Sequence, residues 1–145
     1  MFKLYQMKTD HWEHFEHKAD IGVRGFGDTL AAAFAQAALA MTAVVTDIER
    51  VQPVTSIDID CCEEENDTLF YDWLNALVYE MSTRKMLFSQ FDVSIDNGSL
   101  SAEVAGEAID IERHQPAVEI KGATFTELAV YQENGHWVAQ CVIDV

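Results

Sequence analysis

The last two residues of the sequence bring together two carboxylates that could bind a hard cation. The chain stops at Asp144-Val145, directly after a strand predicted over Trp137–Ile143. An ordered strand end would hold the Asp144 side chain beside the α-carboxylate of Val145. Ca²⁺ and Mg²⁺ take several oxygen ligands, so a third carboxylate arriving from elsewhere would complete a cluster. The alternative is a frayed and solvated end, which is the usual state of a terminus.

Three histidines near the other end of the sequence offer a competing site. His11, His14 and His17 lie three residues apart, and Asp20 follows them. A helix would gather this spacing on one face, where it could bind zinc, but the stretch is predicted to be a strand. In a strand, residues two apart share a face, so His14 and His17 point in opposite directions. Edge-strand histidines are therefore favoured, and a metal-dependent hydrolase using His14, His17 and Asp20 is the alternative hypothesis.

The sequence gives little support to nucleophilic or redox catalysis. It contains no Gly-x-Ser-x-Gly elbow, and the glycine-rich segment 22–27 lacks the lysine and hydroxyl residue of a phosphate-binding loop. Cys61, Cys62 and Cys141 have neither zinc-site nor disulfide-framework spacing. We therefore predict that the cysteines are ordinary strand residues and that the protein has no catalytic residues.

The charge balance indicates the kind of partner that the protein can bind. Acidic residues number 25 and basic residues 9, which gives a formal net charge of −16. Direct binding of nucleic acid needs a basic surface, so the protein is not expected to bind it alone. A basic protein partner or a cation fits this composition.

The length and hydrophobicity of the chain indicate one cytoplasmic domain. Its 145 residues are 49% hydrophobic, enough to build a core. Residues 1–9 are predicted to be a variable lead-in, and 10–145 the domain. The longest apolar run, around residues 30–45, is interrupted by Gln36 and Thr42, and the N-terminus carries no signal-peptide pattern. We therefore expect no membrane association.

Two helices are predicted from apolar residues at helical spacing. The first follows an N-cap at Asp28 or Thr29 and continues to Val45. The second follows an N-cap at Asn66 or Asp67 and buries a stripe that includes Trp73. Three closely spaced glycines before the first helix predict bends or a close backbone approach.

The remaining periodic segments are predicted strands, and Asn-Gly pairs mark two hairpins. The turns are Asn97-Gly98 and Asn134-Gly135, because both turn residues need positive φ. Together these elements predict an α+β fold: a single-domain two-layer sandwich with two helices on one face of a mostly antiparallel sheet. The predicted strands are His11–His17, Ile21–Phe26, Val54–Asp60, Leu87–Ile95, Leu100–Val104, Thr124–Tyr131 and Trp137–Ile143.

Several blocks, in order and at similar intervals, resemble the archease family from Trp12 to Val145. They are "WEHFEHKADIGVRGFGDTLAAAFAQAALAM", "LFYDWLNALVY", "LFSQFDV", "VEIKGATF" and "WVAQCVIDV". The family motif His-x-Ala-Asp-Ile-Gly stands at residues 17–22, with Lys18 where threonine is usual. The family's Thr-Tyr-His step reads Thr124-Phe125-Thr126 here.

The resemblance implies a function. Archeases are accessory proteins of the RtcB-type RNA ligase, which joins RNA ends in tRNA splicing and RNA repair through its own manganese, GTP and a guanylated histidine. The resemblance implies that this chain promotes guanylation and multiple turnover of such a ligase. It also implies a bound divalent metal ion, Ca²⁺ first with Mg²⁺ or Mn²⁺ as alternatives, on Asp20, Asp144 and Val145. A general chaperone-like binding module is a further alternative.

Two residues are predicted to contact the partner. Lys121 is one of nine basic residues and lies inside the block "VEIKGATF", so we expect it to face the partner or the metal-bearing edge. A solvated lysine that protects a strand edge from aggregation is the alternative. His17, which opens the family motif, is the second residue.

Overall fold

The computed structural model describes residues 10–145, in which two long helices pack with two antiparallel sheets. The predicted lead-in, residues 1–9, lies outside the described residues. The helices are α1 (Leu30–Val45), α2 (Asn66–Arg84) and the short α3 (Ile111–His114), with a 3₁₀ turn at Ile48–Arg50. The strands are β1 (His11–His17), β2 (Asp20–Gly27), β3 (Thr55–Cys62), β4 (Met86–Asp96), β5 (Ser99–Ala108), β6 (Gly122–Ala123), β7 (Ala129–Glu133) and β8 (His136–Asp144).

The strands divide between two sheets. The first has the order β1-β2-β8-β6, with β7 also paired to β8, and the second has the order β3-β5-β4. All of these pairings are antiparallel. The predicted α+β class with antiparallel strands is confirmed, although the strands form two sheets where the sequence predicted one.

Helix α1 lies against β2 at very close range. A Cβ atom added to Gly25 would lie 2.2 Å from the carbonyl oxygen of Ala33 and 2.4 Å from the backbone nitrogen of Ala37. At Gly27 the added atom would lie 2.6 Å from the Cβ of Ala32. The predicted close approach at these glycines is confirmed, and it explains why this face of α1 is rich in alanine.

Thr29, one of the two predicted candidates, caps the N-terminus of α1. Its Oγ1 accepts a hydrogen bond from the backbone nitrogen of Ala32 at 3.0 Å. Replacing Thr29 with alanine leaves that donor without its cap, so we expect the free energy of unfolding to fall by about 1 kcal/mol. Urea unfolding measures this, with Thr29→Ser as the control that keeps the hydroxyl. Equal losses in the two variants would contradict a capping role.

Helix α2 supplies much of the core but begins differently from the prediction. Glu65 occupies the N-cap position without a side-chain cap bond, so Asn66 and Asp67 are not the cap. Asp67 Oδ1 instead accepts from the backbone nitrogen of Val130 at 3.0 Å, and this tertiary contact replaces local capping. Trp73 is fully buried, and its indole nitrogen donates to the carbonyl oxygen of Phe34 on α1 at 3.0 Å.

The predicted strand over Thr124–Tyr131 is wrong over residues 124–128 and confirmed only from Ala129 onward. Residues Gly122–Ala123 pair with the end of β8 and Ala129–Glu133 pair with its beginning, while a turn separates them. Glu127 has φ +56, and the backbone nitrogen of Leu128 donates to the carbonyl oxygen of Phe125. An alternating pattern over this segment did not reveal the turn because no glycine marks it.

A charged network fixes the segment between β5 and β6. Glu107 on β5 forms a two-point ion pair with Arg113 and accepts from the backbone nitrogen of Gln52 at 2.7 Å. His114 Nδ1 accepts from the backbone nitrogen of Asp110, so its Nε2 carries the proton and donates to Glu107. The segment that leads to Lys121 is therefore held at its start.

This network predicts a pH dependence of stability. Hydrogen bonds from Arg113, followed by that from Gln52, lower the pKa of Glu107 from 4.5 to about 2. The unfolded chain therefore binds the proton first, and the stabilisation by Glu107 is present above about pH 4.5 and lost as pH falls towards 2. In urea unfolding, we expect the stability difference between wild type and Glu107→Gln to shrink from pH 6 to pH 3. A difference that stays constant over that range would contradict the assignment.

Candidate functional site

Four strands of the first sheet end in one row of residues. His17 pairs with Asp20 across the β1–β2 turn, and Gly122 pairs with Asp144. The register of β2 and β8 pairs Ile21 with Ile143, so its next step places Asp20 opposite Asp144. The predicted site residues from the two ends of the sequence therefore meet at one edge, although 124 positions separate them.

The two aspartates at this edge have no neutralising partner among the described residues. Neither side chain takes part in an ion pair or a hydrogen bond within residues 10–145. Directly opposed residues have Cβ atoms about 5 Å apart, and like charges at such positions are destabilising. Val145 follows directly and packs against the core, which holds its backbone beside Asp144.

His17 adds an unsatisfied nitrogen to the same row. Its Nδ1 is buried and has no hydrogen-bond partner, the one such side-chain atom in the described part of the chain. A buried polar atom without a partner is costly, so it points to a group that the protein atoms alone do not supply. Two carboxylates and one buried imidazole nitrogen therefore share this row of residues.

Two lysines flank the row without neutralising it. The backbone nitrogen of Lys121 donates to the carbonyl oxygen of Asp144 at 2.8 Å, and its side chain is exposed. Lys18 is exposed at the β1–β2 turn with φ +54. Neither amine forms an ion pair with a described residue. Both amines are therefore accessible to a partner that approaches this edge.

The alternative hydrolase site is not assembled. His14 Nε2 donates to the carbonyl oxygen of Ala40 on α1 at 2.8 Å, and so His14 lies on the α1 side of β1. His17, three residues further in the same strand, lies on the opposite face. No group of three or more His, Cys, Asp and Glu side chains within residues 10–145 is placed to hold a metal ion. The hypothesis of a hydrolase using His14, His17 and Asp20 is therefore not supported.

The three cysteines are strand residues, as predicted. All three are free; Cys61 and Cys62 lie on β3 and Cys141 lies on β8. Burial raises the pKa of Cys141 to about 12 and that of Cys61 to about 11. The thiolate is the form that binds metal, and neither of these two residues presents it near neutral pH.

Sequence reasoning missed the residue that fixes the segment beside the site. Asn75 on α2 accepts a hydrogen bond from the backbone nitrogen of Ala123 at 2.9 Å through its Oδ1. A Cβ atom added to Gly122 would lie 3.1 Å from the same oxygen. A polar residue directly beside the apolar stripe of a predicted helix was the available signal, because a partly buried amide needs a partner.

An apolar cavity of about 400 Å³ lies next to this segment. It separates the C-terminal half of α2 from residues 109–120, and Lys85 and Glu119 are its charged lining residues. Ile111, at its border, is 68% exposed.

No helix in the described part of the chain has the length and hydropathy needed to cross a membrane.

Fold and site together define a small α+β protein that carries an acidic sheet edge. The sequence model of the Archease protein family (MTH1598/TM1083) matches residues 12–145. The chain therefore belongs to the archease family.

Relatives and solved structures agree with this assignment. Protein archease of Pyrococcus furiosus is 36% identical over 139 residues, which cover 92% of this chain and 98% of the relative. Protein archease of Thermococcus gammatolerans is 37% identical with the same coverage. The solution structure of protein 1598 of Methanobacterium thermoautotrophicum superposes with a TM-score of 0.81 at 33% identity, covering 96% of this chain and all of that one.

A more distant structure shares the fold. The crystal structure of an archease described as a possible chaperone, from Thermotoga maritima, has a TM-score of 0.57 at 17% identity. It covers 90% of this chain and 94% of its own. At this level of identity the superposition shows a shared fold.

Proposed function

We propose that this protein is a metal-binding accessory protein that activates an RtcB-type RNA ligase without catalysing ligation itself. The observation that carries the proposal is the row His17, Asp20 and Asp144, which a single strand register brings to one edge. Family membership supplies the class of partner. The formal charge of −16 suits a cationic or metal-containing cleft, because complementary charge speeds docking and fixes orientation.

The metal ligands in this proposal are Asp20, Asp144 and the α-carboxylate of Val145. A bound Ca²⁺, Mg²⁺ or Mn²⁺ ion would neutralise the opposed carboxylates, and carboxylate oxygens are the ligands that hard cations prefer. His17 lies beside Asp20 and can bond a water or carboxylate oxygen there. In the protein itself, Asn75 and the backbone bond from Lys121 to Asp144 attach residues 121–123 to α2 and to the end of β8.

Multiple-turnover ligation tests the proposal. A purified RtcB-type ligase is assayed with and without this protein, and both ligated RNA and guanylated ligase are measured. We expect wild type to increase both, whereas the protein alone neither ligates nor cleaves RNA and hydrolyses no nucleotide. Ligation or cleavage by the protein alone that survives Asp20→Ala would contradict the activator role.

Matched variants connect the activation to the sheet edge. Asp20→Asn and Lys121→Ala are expected to lower activation at least tenfold and leave the melting temperature within a few degrees of wild type. Asp92→Asn is the control, because it removes the same charge from an exposed position on the second sheet. Full activation by Asp20→Asn, or equal losses for Asp92→Asn, would contradict the assignment of the site.

A general chaperone-like module is the second candidate. The apolar cavity bordered by residues 109–120 and the exposed Ile111 favour it, since such surfaces bind unfolded chains. The two candidates differ in breadth. A chaperone would suppress aggregation of unrelated unfolded proteins, and Ile111→Ser would weaken that effect while ligase activation stays unchanged.

A further inference from the structure

An exposed aromatic side chain is held in a fixed position beside the acidic edge. The Phe125 ring stacks on the Tyr71 ring of α2, with centroids 4.4 Å apart and an angle of 12° between the planes. Phe125 is nevertheless 67% exposed. Exposed phenylalanine on a loop is usually free to change rotamer, but here one face is fixed by a ring and the other meets solvent.

Helix α2 holds the segment around Phe125 at three points. Asp67, Tyr71 and Asn75 lie four residues apart, so they share one face of the helix. Asp67 accepts the bond from Val130, Tyr71 stacks on Phe125, and Asn75 accepts the bond from Ala123. The whole segment from β6 to β7 is therefore attached to a rigid element.

The loop also satisfies its own hydrogen bonds. Thr124 Oγ1 donates to the carbonyl oxygen of Val142 at 2.7 Å and accepts from the backbone nitrogen of Thr126 at 3.1 Å. Thr126 in turn accepts through its carbonyl oxygen from the backbone nitrogen of Val142. The position of Phe125 is therefore set before any partner binds, which removes the ordering cost that a mobile side chain would bring.

The stacked pair lies close to the proposed metal edge. Gly122 pairs with Asp144, and Phe125 follows it by three residues. Three residues span at most about 11 Å, so the ring and the carboxylates can meet the same partner surface. Asp67, four residues before Tyr71 on α2, and Glu127, two residues after Phe125, give the pair acidic neighbours along the chain.

We propose that Phe125, supported by Tyr71, is the main anchor by which this protein binds its ligase. The proposal rests on the proposed function and names the surface that performs it. The fitting partner surface is an apolar pocket bordered by lysine or arginine, because an aromatic ring with an acidic surround is complementary to it. A few aromatic residues near the centre of an interface commonly contribute most of the binding free energy. A stacked nucleobase is disfavoured, since the acidic surround repels phosphate.

Affinity measurements separate this anchor from the rest of the surface. The dissociation constant for the purified ligase is measured by calorimetry for wild type, Phe125→Ala, Phe125→Tyr and Tyr131→Ala. We expect Phe125→Ala to weaken binding at least tenfold and Phe125→Tyr to bind within about threefold of wild type. Tyr131 is 37% exposed on β7 and pairs with Val138, about 20 Å along β8 from Asp144, so its loss should leave affinity unchanged.

A second readout distinguishes the anchor from the function it serves. At saturating concentration Phe125→Ala should still activate multiple-turnover ligation, because the acidic edge is intact. If Phe125→Ala binds the ligase with the wild-type dissociation constant, Phe125 is not the anchor, and the proposed activator role is unaffected. A loss confined to RNA binding by the assembled complex would also overturn it, in favour of base stacking. If wild type neither binds nor activates the ligase, the proposed function itself fails.

Discussion

Replacing Gly25 with alanine is expected to destabilise the protein by at least about 3 kcal/mol, because one methyl group would enter the backbone of α1. The added Cβ atom would lie 2.2 Å from the carbonyl oxygen of Ala33 and 2.4 Å from the nitrogen of Ala37. Neither atom is the flexible end of a side chain, so the helix must move off the sheet. Urea unfolding followed by circular dichroism measures the loss.

Gly135→Ala is the control for this prediction. Gly135 has φ +83, and nothing lies within 4 Å of an added Cβ atom. Alanine there meets backbone strain alone, which costs about 1–2 kcal/mol. A loss for Gly25→Ala no greater than that for Gly135→Ala would show that α1 can shift away from β2 at little cost.

Displacement of α1 should also reach the candidate site. The same helix contacts β1 through the bond between His14 and Ala40, and β1 carries His17. We therefore expect any folded fraction of Gly25→Ala to bind metal more weakly than wild type. Such a result would show that the stability and the site geometry depend on the same glycine.

Local patterns in the sequence predicted most elements correctly. The helical spacing behind α1 and α2 and both Asn-Gly turns are local signals, and the structure contains each of them. Asn97 and Asn134 have positive φ, as the hairpin prediction requires. What local patterns could not give is the division into two sheets, because that depends on which distant strands pair.

The candidate site shows the same limit. A strand ending in Asp144 can be predicted from its own alternation, but its neighbour on the sheet cannot. Asp20 was linked to Asp144 only through resemblance to a family, and the register of β2 and β8 now supplies the physical reason. Asn75 was missed because its importance lies in a bond to Ala123, 48 residues away.

The prediction of the α2 N-cap was wrong for a related reason. Asn66 and Asp67 are good caps by residue type, yet Asp67 accepts a bond from Val130 instead. A side chain that could satisfy its own helix is used to hold the β6–β7 segment. Local propensity and tertiary contact compete at this position, and in the structure Asp67 makes the tertiary contact.

Extending the C-terminus by a single glycine is expected to weaken metal binding at least tenfold, if the α-carboxylate of Val145 is a ligand. The extension converts that carboxylate into an amide carbonyl, which still offers an oxygen but no charge. Hard cations favour anionic ligands, so a cluster with one negative charge fewer binds the cation more weakly. Asp144→Asn removes one charge from the same cluster and should weaken binding by a similar factor. Calorimetric titration of Ca²⁺ and of Mn²⁺ measures both.

The same extension separates metal binding from folding. Val145 packs against the core, so the valine side chain must stay in place while its carboxylate changes. An added glycine preserves the side chain, and thermal unfolding without metal should therefore match wild type. A glycine added at the N-terminus is the matched control and should leave both affinities unchanged. Equal affinities for the extended protein, Asp144→Asn and wild type would remove Val145 and Asp144 from the ligand set, and the cation would then have to be bound elsewhere.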